Sequence, residues 1–381
     1  MSKDNVDIGF NDTIKVGKRK LHIETSMVPE PARIVSSIFD GGELVDKQEM
    51  SLDEDLTEKE VKDEIGQFHT FIISDLELLF LVATKVKETK SASSINKLGL
   101  LFFEKNLYSE AIEQFQLALK LNETIENGNY MLGQTFFKAR QYKKAMENLQ
   151  KAVEKTPDYP DVHLLLGKTY WHLEEYANAI QALEKAVELN SEYHEACYTL
   201  GLYLIQSKSK IPKGKTLKPP IERMKDAQKY LKKAAALSAE YDDKLMEAGF
   251  EKLELKDQDD SGLQEFKQAY KPYKIHRKTI LANAEFYLKF MFAGLDKDKK
   301  SLDHYITNLE SSVKRHSNYP DLHKSLGTAY MIKSWHLFAK AVEEYRKAVQ
   351  INSSFQVAQK NLKLLENETK GLLILLKAIL E

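Results

Sequence analysis

Apolar and small residues recur along the middle of the chain with two rhythms. Locally they fall three or four residues apart, as on one face of a helix. Over a longer distance the whole set repeats every 34 residues. Gly99, Gly133, Gly167 and Gly201 stand at that step, and each follows a leucine: Leu98, Leu132, Leu166 and Leu200. Three residues after the glycines come Phe102, Phe136, Tyr170 and Leu204. Ala111, Ala145 and Ala179 keep the period, as do Phe115, Leu149 and Leu183, then Ala118, Ala152 and Ala186. Tyr108, Tyr142 and Tyr176 form a further column, and Pro157 ends the second unit. Each unit reads as two short amphipathic helices joined by a tight turn. Glycine and alanine let the pair approach closely, while leucines and aromatics fill the gaps. One pair cannot bury its apolar face alone, so neighbouring pairs must stack.

The fourth unit departs from this register. Ala227 follows Gly201 by 26 residues where 12 are expected, an insertion of 14, and Leu231 and Ala234 then resume the pattern. Pieces around Leu245, Phe266 and Phe286 have helical spacing, with Pro272 as a break. Tyr319-Pro320-Asp321-Leu322-His323 echoes Tyr159-Pro160-Asp161-Val162-His163. Leu326-Gly327 and Tyr330 follow in place, and Ala341, Tyr345 and Ala348 return with two extra residues. A helix from Gln356 would cap the array.

Residues 12–50 have a different texture. Ile14-Lys15-Val16, Leu21-His22-Ile23 and Arg33 to Phe39 are β-rich, and Asp40-Gly41-Gly42 is a turn signal. About three short strands with a hairpin are expected, too few to be stable without a packing partner. Thr57 with Glu60 reads as a capping box opening a helix, whose Phe68, Phe71, Ile72 and Leu76 could cover the sheet.

The 34-residue columns resemble the tetratricopeptide repeat family. The resemblance implies an all-α superhelical solenoid of helix-turn-helix units, here with a small N-terminal α+β module. The expected organisation is a β-rich module at 1–56, a connecting amphipathic helix at 57–91 and four repeats at 92–241 with the insertion at 207–220. Degenerate helical repeats follow at 242–319, and a C-terminal repeat with capping helices at 320–381. His22-Ile23-Glu24-Thr25, the Gly41-Gly42 turn and Gln67-Phe68-His69 resemble an N-terminal module of uncharacterised bacterial proteins, which implies a bacterial chain.

Composition narrows the function classes. Of 381 residues, 43% are hydrophobic and 30% charged, which fits a soluble chain with a core; the net charge of −1 gives no global field toward nucleic acid or anionic membrane. The N-terminus has no apolar signal core, and the run Leu372 to Leu380 is short of the ~20 apolar residues that span a bilayer. A cytoplasmic protein is expected, with peripheral association with a membrane complex left open. Cys197 is the one cysteine, so neither an internal disulfide nor a multi-thiolate metal site is available. No HExxH or paired CxxC accompanies His163, His172 and His194, and neither metal nor cofactor is expected. Cys197 reads as a small buried apolar residue.

Ser209 to Thr216 resembles a phosphate-binding loop but has Ser209 where the first glycine is needed. No strand precedes it, and Pro219-Pro220 reads as the absence of a helix start. The surrounding Ser207 to Pro220 holds Lys208, Lys210, Lys213, Lys215 and Lys218 and no acid. It reads as a solvated loop, or alternatively as a basic patch for an acidic partner segment, nucleic acid or lipid headgroups.

In the tetratricopeptide family the first helix of each pair lines a concave groove at repeat positions 2, 5, 9 and 12, one helical face. The resemblance therefore implies partner contacts at Asn96 and Phe103; Tyr130, Gln134 and Phe137; Leu164, Lys168 and Trp171; and Tyr198 and Leu202. Phe103, Phe137, Trp171 and Ile205 occupy one column; the alternative is that these residues are core or are covered by the chain itself. Chaperone-binding members carry a Lys and Asn clamp for a terminal carboxylate. Asn96, Leu100, Met131, Asp161 and Leu165 stand at the clamp positions, so that ligand is disfavoured and an apolar peptide or helix is expected. The expected function is a non-enzymatic scaffold or adaptor for a protein or peptide partner. Alternatives are a structural part of a bacterial envelope or motility assembly, such as a flagellar-motor accessory, or an enzyme or RNA-binding protein.

Overall fold

A computed structural model of the chain describes residues 9–30, 32–52, 56–125, 127–210, 217–254, 262–271, 288, scattered positions from 302 to 314, and 320–380. It divides into two compact units, Met1–Asn106 with Arg277–Glu381, and Leu107–His276.

The first unit opens with an antiparallel meander of β1 (Gly9–Val16), β2 (Arg19–Val28), β3 (Arg33–Asp40) and β4 (Glu43–Ser51). Leu21, Ile23 and Thr25 on β2 and Ile34, Ser36 and Ile38 on β3 are buried, while Lys20 and Glu24 face out. Gly41 and Gly42, at φ 58° and 88°, close the β3–β4 turn that Asp40-Gly41-Gly42 announces. The fourth strand exceeds the three expected. Glu43–Ser51 carries Asp46, Lys47 and Glu49, which suit an edge strand but hide its period from a hydropathy reading.

Helix α1 (Glu58–Thr89) starts at the expected capping box: Thr57 N donates to Glu60 Oε2 at 2.9 Å and Glu60 N to Thr57 Oγ1 at 3.4 Å. Ile72 and Leu76 pack on Val16, Leu21, Ile23 and Ile38, with Phe68 at the margin. Phe71, expected on that face, is exposed, because it lies one residue's rotation outside the stripe. By length and composition α1 could also cross a membrane; here its apolar stripe is buried on the sheet. Helix α2 (Ala92–Glu104) follows, and Lys105 pairs with the buried Asp75 of α1 at 2.9 Å.

The second unit contains the helices α3 (Tyr108–Leu121), α4 (Gly128–Lys138), α5 (Tyr142–Lys155), α6 (Pro160–His172), α7 (Tyr176–Leu189), α8 (His194–Lys210) and α9 (Pro220–Leu237). The repeat columns are contacts. A Cβ on Gly133 would lie 2.7 Å from Leu149 Cγ, on Gly167 2.7 Å from Leu183 Cγ and on Gly201 2.7 Å from Leu231 Cγ. Only glycine permits this approach, so its 34-residue spacing is the spacing of the helix pairs. Arg140 and Glu174, again 34 apart, take positive φ of 57° and 62° in the turns between paired helices.

The insertion is shorter as a loop than expected. Ser207 is buried within α8, and Pro220 begins α9, so Pro219-Pro220 is a helix start after all; proline fits the first helical turn, where no backbone donor is needed. The buried Arg223 donates from Nη1 to Ser207 O at 3.1 Å and to Ser207 Oγ at 2.6 Å, pinning the two helix ends together. Beyond α9, α10 (Asp243–Glu254) and α11 (Leu263–Ala269) form a hairpin whose ends are tied by Asp242 N to Ala269 O at 2.9 Å and Lys271 N to Glu240 O at 2.7 Å.

The C-terminal segment of the first unit holds α12 (Pro320–Ile351) and α13 (Gln356–Leu380). Here the helix-turn-helix expectation is corrected: α12 is one continuous helix of 32 residues. Ala329, Ile332 and Val342 are buried along it, with Trp335 packed beside Ile332. The two extra residues keep that apolar rhythm in helical phase, and nothing interrupts it. Phe286, Pro272 and Tyr319 lie outside the described residues.

Candidate functional site

The implied groove residues of the second unit come from α4, α6 and α8. Tyr130, Gln134, Phe137, Lys168 and Trp171 are half-buried on the first helices of successive pairs. The Trp171 ring stacks on Tyr203 at 4.0 Å between centroids and meets Tyr176 edge-on at 4.8 Å. Phe137 meets Tyr142 and His172 edge-on at 5.6 and 5.5 Å, and those two rings stack at 4.4 Å. These contacts hold the aromatics in fixed rotamers. Burial and the nearby Tyr142 raise the Tyr203 hydroxyl above its usual range, and burial, then Arg140, lowers His172.

The charges on this face are largely satisfied within the chain. Lys168 Nζ lies 2.6 Å from Glu195 Oε1, and the Tyr193 hydroxyl donates to Asp161. Burial, then the Asp161 carboxylate, raises Tyr193 far above the ordinary phenol value.

Four of the implied contacts, Phe103 among them, are corrected. Leu164, Tyr198 and Leu202 are buried in a core shared with Ile205, Leu263, Phe266 and Ala269. Tyr198 donates its hydroxyl to Phe266 O and packs against Tyr241 and Tyr270 at 5.0 and 5.2 Å. The α10–α11 hairpin therefore covers this face in the fourth repeat. Asn96 and Phe103 belong to the other unit, where Asn96 is half-buried and Phe103 buried. Of the basic segment, Lys208 and Lys210 fall on the helical end of α8, and Lys213 and Lys215 lie outside the described residues. Lys218 pairs with Asp226 at 2.6 Å. A reading by columns missed Tyr203 and His172, which follow no column, although Tyr142 and Tyr176 carried the signal of the 34-residue step.

Cys197 is buried in the same core, and burial raises its thiol. His163 Nε2 donates to Pro157 O at 2.7 Å, and His194 Nδ1 lies 2.9 Å from the Tyr241 hydroxyl. Among the described residues no group of three or more His, Cys, Asp or Glu could hold a metal ion.

Residues 104–186 match the family model described as Anaphase-promoting complex, cyclosome, subunit 3, which is built of repeats of this type. The match falls on the stretch where the 34-residue helix pairs are regular. Residues 104–186 carry tetratricopeptide-type repeats. Among solved structures, the chain is similar to the crystal structure of MamA, at 23% identity and a TM-score of 0.36 over 48% of this chain and 95% of that one. MamA 41-end from Desulfovibrio magneticus RS-1 gives 23% and 0.36 over 47% and 93%. A thermophilic TPR protein of Thermus thermophilus, TTC0263, gives 18% and 0.32 over 63% and 99%. No curated protein matches the chain.

Proposed function

We propose that the chain is a protein-interaction scaffold that takes a partner segment on the face of α4 and α6, anchored by Trp171. The observation that carries this reading is the fixed aromatic set around Trp171, half-buried and still partly accessible. A side chain already held by its neighbours loses little entropy when a partner covers it, and such rigid aromatics dominate binding energy at interfaces. Because Lys168 and Asp161 are engaged within the chain, the face offers little unpaired charge, and an apolar or aromatic peptide or helix suits it better than a charged one. The α10–α11 hairpin limits this surface to the second and third repeats.

Random-peptide display on the full chain tests the proposal. Enriched peptides should be rich in aromatic and aliphatic residues. Trp171→Ala should weaken their binding by about 2 kcal/mol, roughly 30-fold, with the helical circular dichroism unchanged. Peptides that bind Trp171→Ala as tightly as the parent chain would place recognition elsewhere.

A further inference from the structure

The C-terminal repeat carries the packing columns; Leu326 packs beside Ala329 and Ile332 and the Tyr330 hydroxyl donates to Glu310 at 2.6 Å, but the glycine-to-alanine contact of the columns is unmade. In the second, third and fourth units the glycine is buried against the leucine and alanine of its paired helix. The equivalent Gly327 is exposed, and a Cβ built on it would meet nothing within 4 Å. Tyr330 stands in the column of the buried Phe136 and Leu204, yet is 44% exposed. Leu337 and Phe338, where the turn should fall, are 60% and 37% exposed. The complementary half of the interface is present further along α12. Ala341, Tyr345 and Ala348 occupy the columns of Ala179, Leu183 and Ala186, which are fully buried in the third unit, but are only half-buried here. α13 covers one side of them, with Asn361 Nδ2 donating to the Tyr345 hydroxyl at 3.3 Å.

The two halves cannot meet within one continuous helix. Gly327 and Tyr345 are 18 residues apart, about 27 Å along a helix rising 1.5 Å per residue. A helix too straight to fold back on itself can still satisfy both surfaces if a second copy supplies each missing half, as in an exchange of identical elements.

We propose that α12 is an exchange helix: two copies of this chain pair through it, the Gly327 face of one receiving the Ala341–Tyr345–Ala348 face of the other. The occupant is a second copy because the sequence that matches the open face is the chain's own, in the register that the closed units display. The pairing is two-fold and self-complementary, so it closes at a dimer. It is independent of the Trp171 face.

Sedimentation equilibrium of the full chain over the micromolar range should give a dimer, and Gly327→Leu should give a monomer with the same helical content. The glycine sits in open space in a single chain, so the larger side chain blocks only the exchanged contact. Leu337→Lys, at a solvent-facing position, is the second variant and should raise the dimer dissociation constant at least tenfold, leaving Trp171-dependent peptide binding unaltered. A parent chain that stays monomeric throughout this range overturns the proposal, whether another protein covers the face or nothing does. So does a dimer that persists in both variants.

Discussion

Gly167 and Gly327 each follow a leucine and precede a tyrosine by three residues, yet one is sealed against Leu183 and the other lies open. The third unit and the C-terminal unit differ at the turn. In the third, Glu174 takes a left-handed conformation, and α7 folds back onto α6. In the C-terminal unit Ser334-Trp335-His336-Leu337 continues the helix, and two extra residues keep the apolar rhythm in phase across it. Columns of small residues permit a close helix pair; the connection decides whether the pair forms within the chain.

The largest effect expected from this contrast is in the apolar column. Phe136→Ala removes a fully packed ring and should cost about 3–5 kcal/mol, whereas Tyr330→Ala should cost well under about 1 kcal/mol by denaturant titration of the monomer. Equal losses would mean that the C-terminal unit is closed in solution.

The glycine column should give opposite signs. Gly167→Leu drives a side chain into Leu183 and the Ala179 carbonyl, which a Cβ already meets at 2.7 and 3.0 Å, and should cost about 3 kcal/mol. Gly327→Leu replaces a poor helix former in open space. At concentrations where copies are apart it should be neutral or stabilise by up to about 1 kcal/mol in thermal or denaturant melts.

The fourth unit is an intermediate case, since it closes in spite of its insertion. Its pin is Arg223 on Ser207. Arg223→Ala should cost about 2 kcal/mol and speed hydrogen exchange in α9 selectively. Unchanged exchange there would mean that the Gly201–Leu231 contact alone holds the unit.

The sequence made much of this legible because each column is a physical contact: glycine, leucine and alanine recur where backbones touch. It also showed the capping box at Thr57 and the turn at Gly41-Gly42, both of which are local. What it did not show is non-local or hidden by polarity. Tyr198 has the spacing of a groove residue, and only the approach of Phe266, 68 residues on, buries it. The strand Glu43–Ser51 is an edge, with no alternation to read. At α12 the columns matched, and the unbroken helical phase between them outweighed the match.

The smallest effect concerns pH. Burial, then Arg140, holds His172 below its ordinary value of 6.5, so the folded state disfavours the imidazolium. Its contribution is therefore present above 6.5 and is lost as pH falls through the lower folded value. The melting temperature should drop slightly on acidification through this range, and His172→Phe should remove that part of the drop. A His172→Phe chain with the parent's full pH dependence would assign the effect to other groups.

The continuity of α12 is the point on which the contrast between closed and open repeats turns, and a distance within one chain tests it directly. Spin labels at Tyr330→Cys and Lys347→Cys, on chains diluted with unlabelled protein, should lie about 26 Å apart along a straight helix. A principal distance on the order of 10–15 Å, as for two helices packed side by side, would contradict it.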